Sequence, residues 1–268
     1  MSARPDEILY NFFDCASGEL MFDTHFETFL ADTAEARKIH YQLRYRVYCL
    51  ETGYEDASAF PDRLEKDEFD SHSVHFIVRH RMSGQWMAAM RMVLGDKAEL
   101  PIAEHCELDR FALRSVRGSV AEVSRLCVVN EFRRRRQERH TPYEIPWRPR
   151  ERPFPSPAVD INERRREPEI MLGLARAARA YSLAHGIDNL WFLAAGSLVR
   201  VVRGLGLPLV PVGPECHFRG KRRPYTFETA KLMPTAGTRA YDMFMRAPAF
   251  RCFSEWEEKK RAPAANGH

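Results

Sequence analysis

Long apolar runs, closely paired cysteines and glycine-rich phosphate loops are all missing from this chain of 268 residues. No window approaches the roughly 18 uninterrupted apolar residues that a membrane span requires. The longest candidate, Leu190 to Val202, is broken by Gly196, Ser197 and Arg200. The opening residues carry Asp6, Glu7, Asp14 and Glu19, where a secretory signal would be basic and then apolar. A cytoplasmic protein with no stable membrane insertion is therefore expected. The six cysteines (Cys15, Cys49, Cys106, Cys127, Cys216, Cys252) are scattered, which fits neither a disulfide scaffold nor a zinc ribbon and predicts reduced thiols. His72 and His75 with His105 and Cys106 come nearest to metal-ligand spacing. No Asp or Glu stands beside them in a ligand pattern, so no metal is expected. Without a Gly-rich phosphate loop of either standard spacing, a doubly wound nucleotide-binding fold is not indicated.

What is present suits a globular chain. Hydrophobic residues make up 44% and charged residues 29%, so a buried core is expected, in one large domain or at most two small ones. The net charge of 41 minus 37, or +4, is unevenly placed. Between Phe132 and Arg166 there are eleven Arg against five acids, a local +6, and the rest of the chain sums to −2. The same segment holds six of the seventeen prolines, which cannot continue a helix or a central strand. It reads as a long exposed loop.

The remaining chain alternates in type. Phe26 to Leu30 reads as a strand, followed by Asp32 or Thr33 as an N-cap. Ala36, Ile39, Leu43, Val47 and Leu50 then recur at three- and four-residue steps, predicting one buried helical stripe closed by Gly53, with Arg44 and Tyr48 beside it. Glu55 to Ser71 is acidic and aperiodic, a loop carrying Glu65, Asp67, Glu68 and Asp70. Val74 to His80 and Gln85 to Leu94, separated by Ser83-Gly84, have the signature of a hairpin. Ser119 to Val129 is a third strand. After the basic loop come a helix from about Pro168 to His185 ended by Gly186, a strand at Leu190 to Ala194, a short helix at Ser197 to Arg203, and strands at Leu207 to Val212 and Tyr225 to Ala230. The order predicts an α/β (α+β) fold with helices on a largely antiparallel sheet. The chain divides into an N-terminal extension (1–25), a single domain (26–245) interrupted at 132–166, and a C-terminal tail (246–268) expected to fray from Glu255 onward.

Three charged side chains sit in apolar surroundings. Glu122 and Arg125 interrupt Val120, Val123, Leu126, Cys127 and Val128, and Arg91 is flanked by Met90, Met92 and Val93. Charges in such strands are costly unless paired, and Asp67 and Asp70 of the acidic loop could serve Arg91. Strict alternation puts Glu122 and Arg125 on opposite faces. They can serve one pocket only through a bulge, or where two sheets part; otherwise one or both face solvent at the sheet surface.

Four strings in order, Leu43-Arg44 to Val47-Tyr48 with Gly53-Tyr54, Glu65 to Asp70, Met90-Arg91, and Glu122-Val123-Ser124-Arg125, resemble those of the acyl-homoserine lactone synthases and related N-acyl amino acid synthases. The fuller run from Leu43 through Arg91, with Asp70-Ser71-His72-Ser73-Val74-His75, resembles most closely the acyltransferases associated with PEP-CTERM/exosortase systems. The likeness covers roughly Phe26 to Asn130 well and the C-terminal half loosely. It implies a GNAT-like three-layer sandwich whose mixed sheet is splayed, with a V-shaped gap for the thioester arm of the donor. It also implies Glu122 and Ser124 as catalytic residues, Glu122 deprotonating the attacking amine. Arg44, Tyr48, Tyr54, Asp67, Asp70, Arg91 and Arg125 would shape the acceptor side, and Leu126 and Val128 would line the donor.

A carboxylate raised in pKa by an apolar strand is a reasonable base for aminolysis of a thioester, and no permanently bound cofactor is needed. Tyr48 and Tyr54 stand where the lactone synthases usually carry other aromatics, so the acceptor can be another small amine. No glycine occurs in the 132–166 segment, which therefore supplies no phosphate cradle. An acidic acyl carrier protein suits this +6 segment at least as well as coenzyme A. Two further readings compete: a nucleic-acid or anionic-lipid binding module acting through the Arg-rich segment, and a thiol acyltransferase using Cys127 or Cys106.

Overall fold

The computed structural model describes residues 22–130, 167–204 and 209–261. The Arg-rich segment 132–166, nearly all of the N-terminal extension and the last seven residues lie outside them, as do the readings attached to those segments.

A helical turn, α1 (Phe22–His25), seats Phe22 in the core and leads into strand β1 (Phe26–Leu30). Of the two cap candidates Thr33 is used. Its hydroxyl accepts from the Ala36 amide at 3.1 Å and starts α2 (Ala34–Arg44). The helix widens into a π-helical turn at Tyr45–Glu51, and Gly53 follows with φ +65°. The wider turn shifts the 3.6-residue phase. Leu50, expected on the buried stripe, is therefore exposed, while Tyr48 and Cys49 turn inward.

The acidic loop contains a 3-10 turn at Glu68–His72. Asp67 caps it, and the Asp70 carboxylate accepts from the Asp67 amide at 2.8 Å. Strands β2 (Ser73–His80) and β3 (Trp86–Leu94) form the expected hairpin, with Gly84 at φ +72°. Two short helices were not anticipated: α3 (Pro101–His105), and α4 (Arg110–Ser115), which Asp109 caps. Then follow β4 (Val120–Val128), α5 (Glu167–Ala184), β5 (Asn189–Ala194), α6 (Gly196–Gly204), β6 (Val210–Pro211), β7 (Cys216–His217) and β8 (Lys221–Glu228). The chain ends with α7 (Arg239–Met245), β9 (Arg251–Cys252) and α8 (Phe253–Arg261). The part of the tail read as fraying is thus helical as far as Arg261, because Phe253 is buried and Trp256 packs on Phe29 and Trp86.

The sheet runs β6-β8-β5-β4-β3-β2-β1-β9, with β7 paired to β8. Only the β4–β5 and β1–β9 pairings are parallel. The sheet is therefore mixed and mostly antiparallel. A main apolar cluster joins α2 and α5 to the sheet, and a smaller one gathers Val93, Leu100, Ile102, Val120 and Trp191 under α3 and α4.

The prediction of uniformly reduced cysteines fails for one pair. Cys106 and Cys216 are disulfide-bonded, their Cα atoms 5.6 Å apart, because folding brings the end of α3 to β7 across 110 residues of sequence. Cys49 and Cys252 are free thiols. Among the described residues no helix is long and apolar enough to cross a membrane, and no group of three or more His, Cys, Asp or Glu is placed to hold a metal.

Candidate active site

β4 and β5 pair only over Val120–Glu122 against Asn189–Trp191. Beyond Glu122 the β4 edge that faced β5 has no strand partner among the described residues, so the sheet opens there. Glu122 stands at the apex of the opening. It is 4% exposed, and its Oε2 accepts from the Ile102 amide, in the first turn of α3, at 2.7 Å. Burial pushes the Glu122 carboxyl up to about 7, although the Ile102 amide, Arg91 and Arg125 favour its ionised form.

Three residues further along, β4 bulges. Ala89 faces Cys127 and Arg91 faces Ser124, so two β4 residues oppose the single Met90, and Arg125 takes φ +49°. The bulge brings Ser124 and Arg125 together. Arg91 Nε donates to Ser124 Oγ at 3.1 Å, while Arg125 donates to Glu65 at 3.1 Å and Asp67 at 2.9 Å. The alternation problem is resolved by this one extra residue. It also turns Leu126 and Val128 to the face away from Arg91, with Val128 packed in the main core.

Around the opening lies a closed ionic network. Arg44, fully buried, bonds Glu65 and reaches Asp70 at 2.6 Å. Arg91, also fully buried, bonds Asp67 and reaches Asp70 at 3.1 Å. Arg219, next to Gly220 in the β7–β8 hairpin and with φ +51°, bonds Glu55 and lies 5.5 Å from the Tyr48 ring centroid. Arg44, Arg91, Arg125 and Arg219 thus face Glu55, Glu65, Asp67 and Asp70, four charges of each sign. Burial alone would raise the Asp70 carboxyl, yet His75 Nε2 at 3.0 Å with Arg44 and Arg91 holds it far below the usual carboxylate range. Burial lowers the pKa of His75 and, more strongly, of His40, whose ring meets it edge-on at 4.6 Å.

The predicted site residues are thus mostly brought together. Tyr48 donates its hydroxyl to the Leu126 carbonyl at 3.1 Å, and burial raises its pKa. Tyr54 is more exposed, its ring 6.5 Å from that of Tyr48. Sequence reasoning missed Arg219, Glu55 and the Ile102 amide, for which no periodicity or motif gives a signal. His105 stacks on Phe218 at 3.8 Å and His72 is exposed, so the candidate metal ligands are dispersed. Cys106, one candidate nucleophile, is blocked by its disulfide, and Cys127 is buried in the main core. A cavity of about 620 Å3 at the start of β4, lined by Leu94, Lys97, Gly118 and Tyr181, does not include Glu122.

A mixed sheet parting beside a parallel pair, with a buried carboxylate at the apex, is the decisive architecture. The fold is GNAT-like. The sequence pattern of the acetyltransferase (GNAT) domain family matches residues 43–141. Among solved structures, the CoA-dependent acyl-homoserine lactone synthase BjaI, bound to SAM and isopentyl-CoA, aligns at a TM-score of 0.54 with 15% identity, over 85% of this chain and 92% of that one. The acyl-homoserine lactone synthase LasI (TM-score 0.49, 14% identity, 76% and 90% covered) and FeeM, an N-acyl amino acid synthase from uncultured soil microbes (0.48, 12%, 77% and 92%), are more distant in shape. Among curated proteins none matches the chain in sequence. The open, mixed sheet agrees with the GNAT-like fold that the resemblance of the four strings implied.

Proposed function

We propose that this GNAT-like protein is an N-acyltransferase that moves a fatty acyl group from a thioester, carried by acyl carrier protein or coenzyme A, to the amine of an amino acid or related small molecule. The observation that carries this reading is Glu122: a carboxylate buried at the apex of the splayed strands, whose pKa of about 7 suits a general base near neutral pH. The amine nitrogen attacks the thioester carbonyl, its proton passes to Glu122 directly or through water, and the C–S bond breaks as the amide forms. The departing thiolate then takes up a proton. Ser124 and Arg125, displayed by the bulge, face the acceptor with Asp67, Tyr48 and Tyr54, while Arg44, Arg91 and Asp70 hold that wall in place from behind. Leu126 and Val128 contribute strand backbone toward the donor arm. The catalytic unit spans 26–245 with 132–166 as an insertion, and acts in the cytoplasm. The finer likeness to acyltransferases of PEP-CTERM/exosortase systems belongs to the same proposal.

The test is to incubate purified protein with acyl carrier protein and coenzyme A thioesters and an amino-acid mixture, and to read new amides by mass spectrometry. Glu122→Gln is expected to lower turnover by about 10²- to 10⁴-fold, the usual contribution of a general base. Absence of any amide, or equal rates in the two proteins, would overturn the reading.

A further inference from the structure

The β1–β9 edge of the sheet carries a second charged concavity. A cavity of about 300 Å3 opens where β1 meets β9, between the middle of α5 at Arg176 and the segment that follows α7. By strand order it lies three strands from β4, or roughly 14 Å at the usual spacing between strands. Its charges are unbalanced. Arg81, Arg176, Arg246 and Arg251 line it against Asp23 and Glu27, four cations to two anions.

Both carboxylates are already engaged. Arg176 grips Asp23 with two bonds of 2.9 and 2.6 Å. Glu27, 5% exposed, is shared by Arg79 at 2.8 Å and by Arg81 and Arg251 at 3.3 Å each. Arg246 has no ion pair among the described residues and is exposed. Two of the lining residues also carry a buried polar atom with no partner, Thr28 Oγ1 and Arg176 Nε, each residue being 3% exposed. Buried donors without partners are uncommon in folded proteins and cost stability. Here they accompany a surplus of two positive charges in one concavity.

We propose that this concavity binds a phosphate monoester dianion, with Arg246, Arg251 and Arg81 supplying charge-assisted hydrogen bonds. A monoester carries close to two negative charges at neutral pH, which matches the surplus, and its oxygens accept from several arginines at once. The same chemistry is offered by a soluble phosphate ester and by the headgroup of phosphatidic acid. The exposed Met82 and Met245, each adjacent in sequence to a lining arginine, would suit the second source.

Calorimetric titration of the full chain with inorganic phosphate and glycerol 3-phosphate, alongside flotation with vesicles of phosphatidylcholine with or without phosphatidic acid, distinguishes these sources. Binding of either kind is expected to weaken by about tenfold or more in Arg246→Gln, as for a lost hydrogen bond to a charged group. It should be unchanged in Glu122→Gln, which separates this site from the catalytic proposal. Arg246 is exposed and has no ion pair among the described residues, so Arg246→Gln should melt at the wild-type temperature without ligand. Binding to the soluble phosphates assigns a metabolite site, and binding only to phosphatidic acid vesicles assigns a headgroup site. No binding to any probe, or binding equally strong in Arg246→Gln, overturns the proposal.

Discussion

Glu122 carries a thermodynamic penalty as well as the catalytic role proposed for it. Its carboxyl ionises at about 7 in the folded chain against an ordinary value of 4.5, because removal from water outweighs the Ile102 amide and the nearby arginines. Between those two values the unfolded chain releases a proton that the folded one keeps. Stability therefore falls as pH rises from about 4.5 to 7, by about 3 kcal/mol in all, and stays reduced above that. Glu122→Gln keeps an acceptor for Ile102 and removes the ionisation. Its melting temperature should match wild type near pH 4 and exceed it by several degrees at pH 8; a constant gap across that range would show that Glu122 titrates as an ordinary carboxylate. The activity limb runs the opposite way, rising through pH 7 as the base loses its proton. At this scale much was legible. An arginine between two methionines needs a carboxylate, and Arg91 finds Asp67 and Asp70. Arg219 was not legible, since nothing in its hairpin sequence says what lies across the gap.

Elements position these residues through their irregularities. The π-helical turn after α2 brings Tyr48 inward to the Leu126 carbonyl, and the bulge in β4 displays Arg125 beside Ser124. Arg125 adopts φ +49°, a left-handed conformation that costs a non-glycine residue about 1 kcal/mol or more. Its ion pairs to Glu65 and Asp67 offset that cost. Arg125→Ala loses the pairs and keeps the strain, whereas Arg125→Gly loses the pairs and relieves it. The alanine variant should be less stable than the glycine variant by about 1 kcal/mol in urea denaturation, the reverse of the usual order in a strand. An alanine variant as stable as the glycine variant would mean that the bulge relaxes when the side chain leaves. The sequence permitted a bulge without locating it, because alternation is a statement about regular strands.

In the whole molecule the sheet is opened at one place and closed at another. β4 and β5 separate after three paired residues, while β9 covers the outer edge of β1 in a parallel pair at Phe29–Leu30. α8 then packs Phe253 and Trp256 around Phe29 and Trp86, with ring centroids 5.3 to 6.2 Å apart. Removal of residues 249–268 uncovers that edge and a cluster of rings. The truncated chain should lose at least about 3 kcal/mol of stability and associate with rising concentration, because an unprotected edge strand pairs with another chain. Unchanged melting and a monomeric profile by light scattering would assign β9 and α8 no part in the fold's stability.

Hydrophobic periodicity, the Ser83-Gly84 turn and the capping residues were enough to determine most of the longer elements and their mixed α/β class, because those preferences act within a few residues of the chain. The need of buried charges for partners likewise marked Arg91, Arg125 and Glu122 as candidates. What the local sequence could not decide was the company these residues keep. The point where β4 leaves β5, the bulge at Arg125, the reach of Arg219 to Glu55 and the approach of Cys106 to Cys216 are set by contacts between segments tens of residues apart. Only the packed fold specifies such contacts, since their free energy comes from burial and charge pairing that no single segment contains.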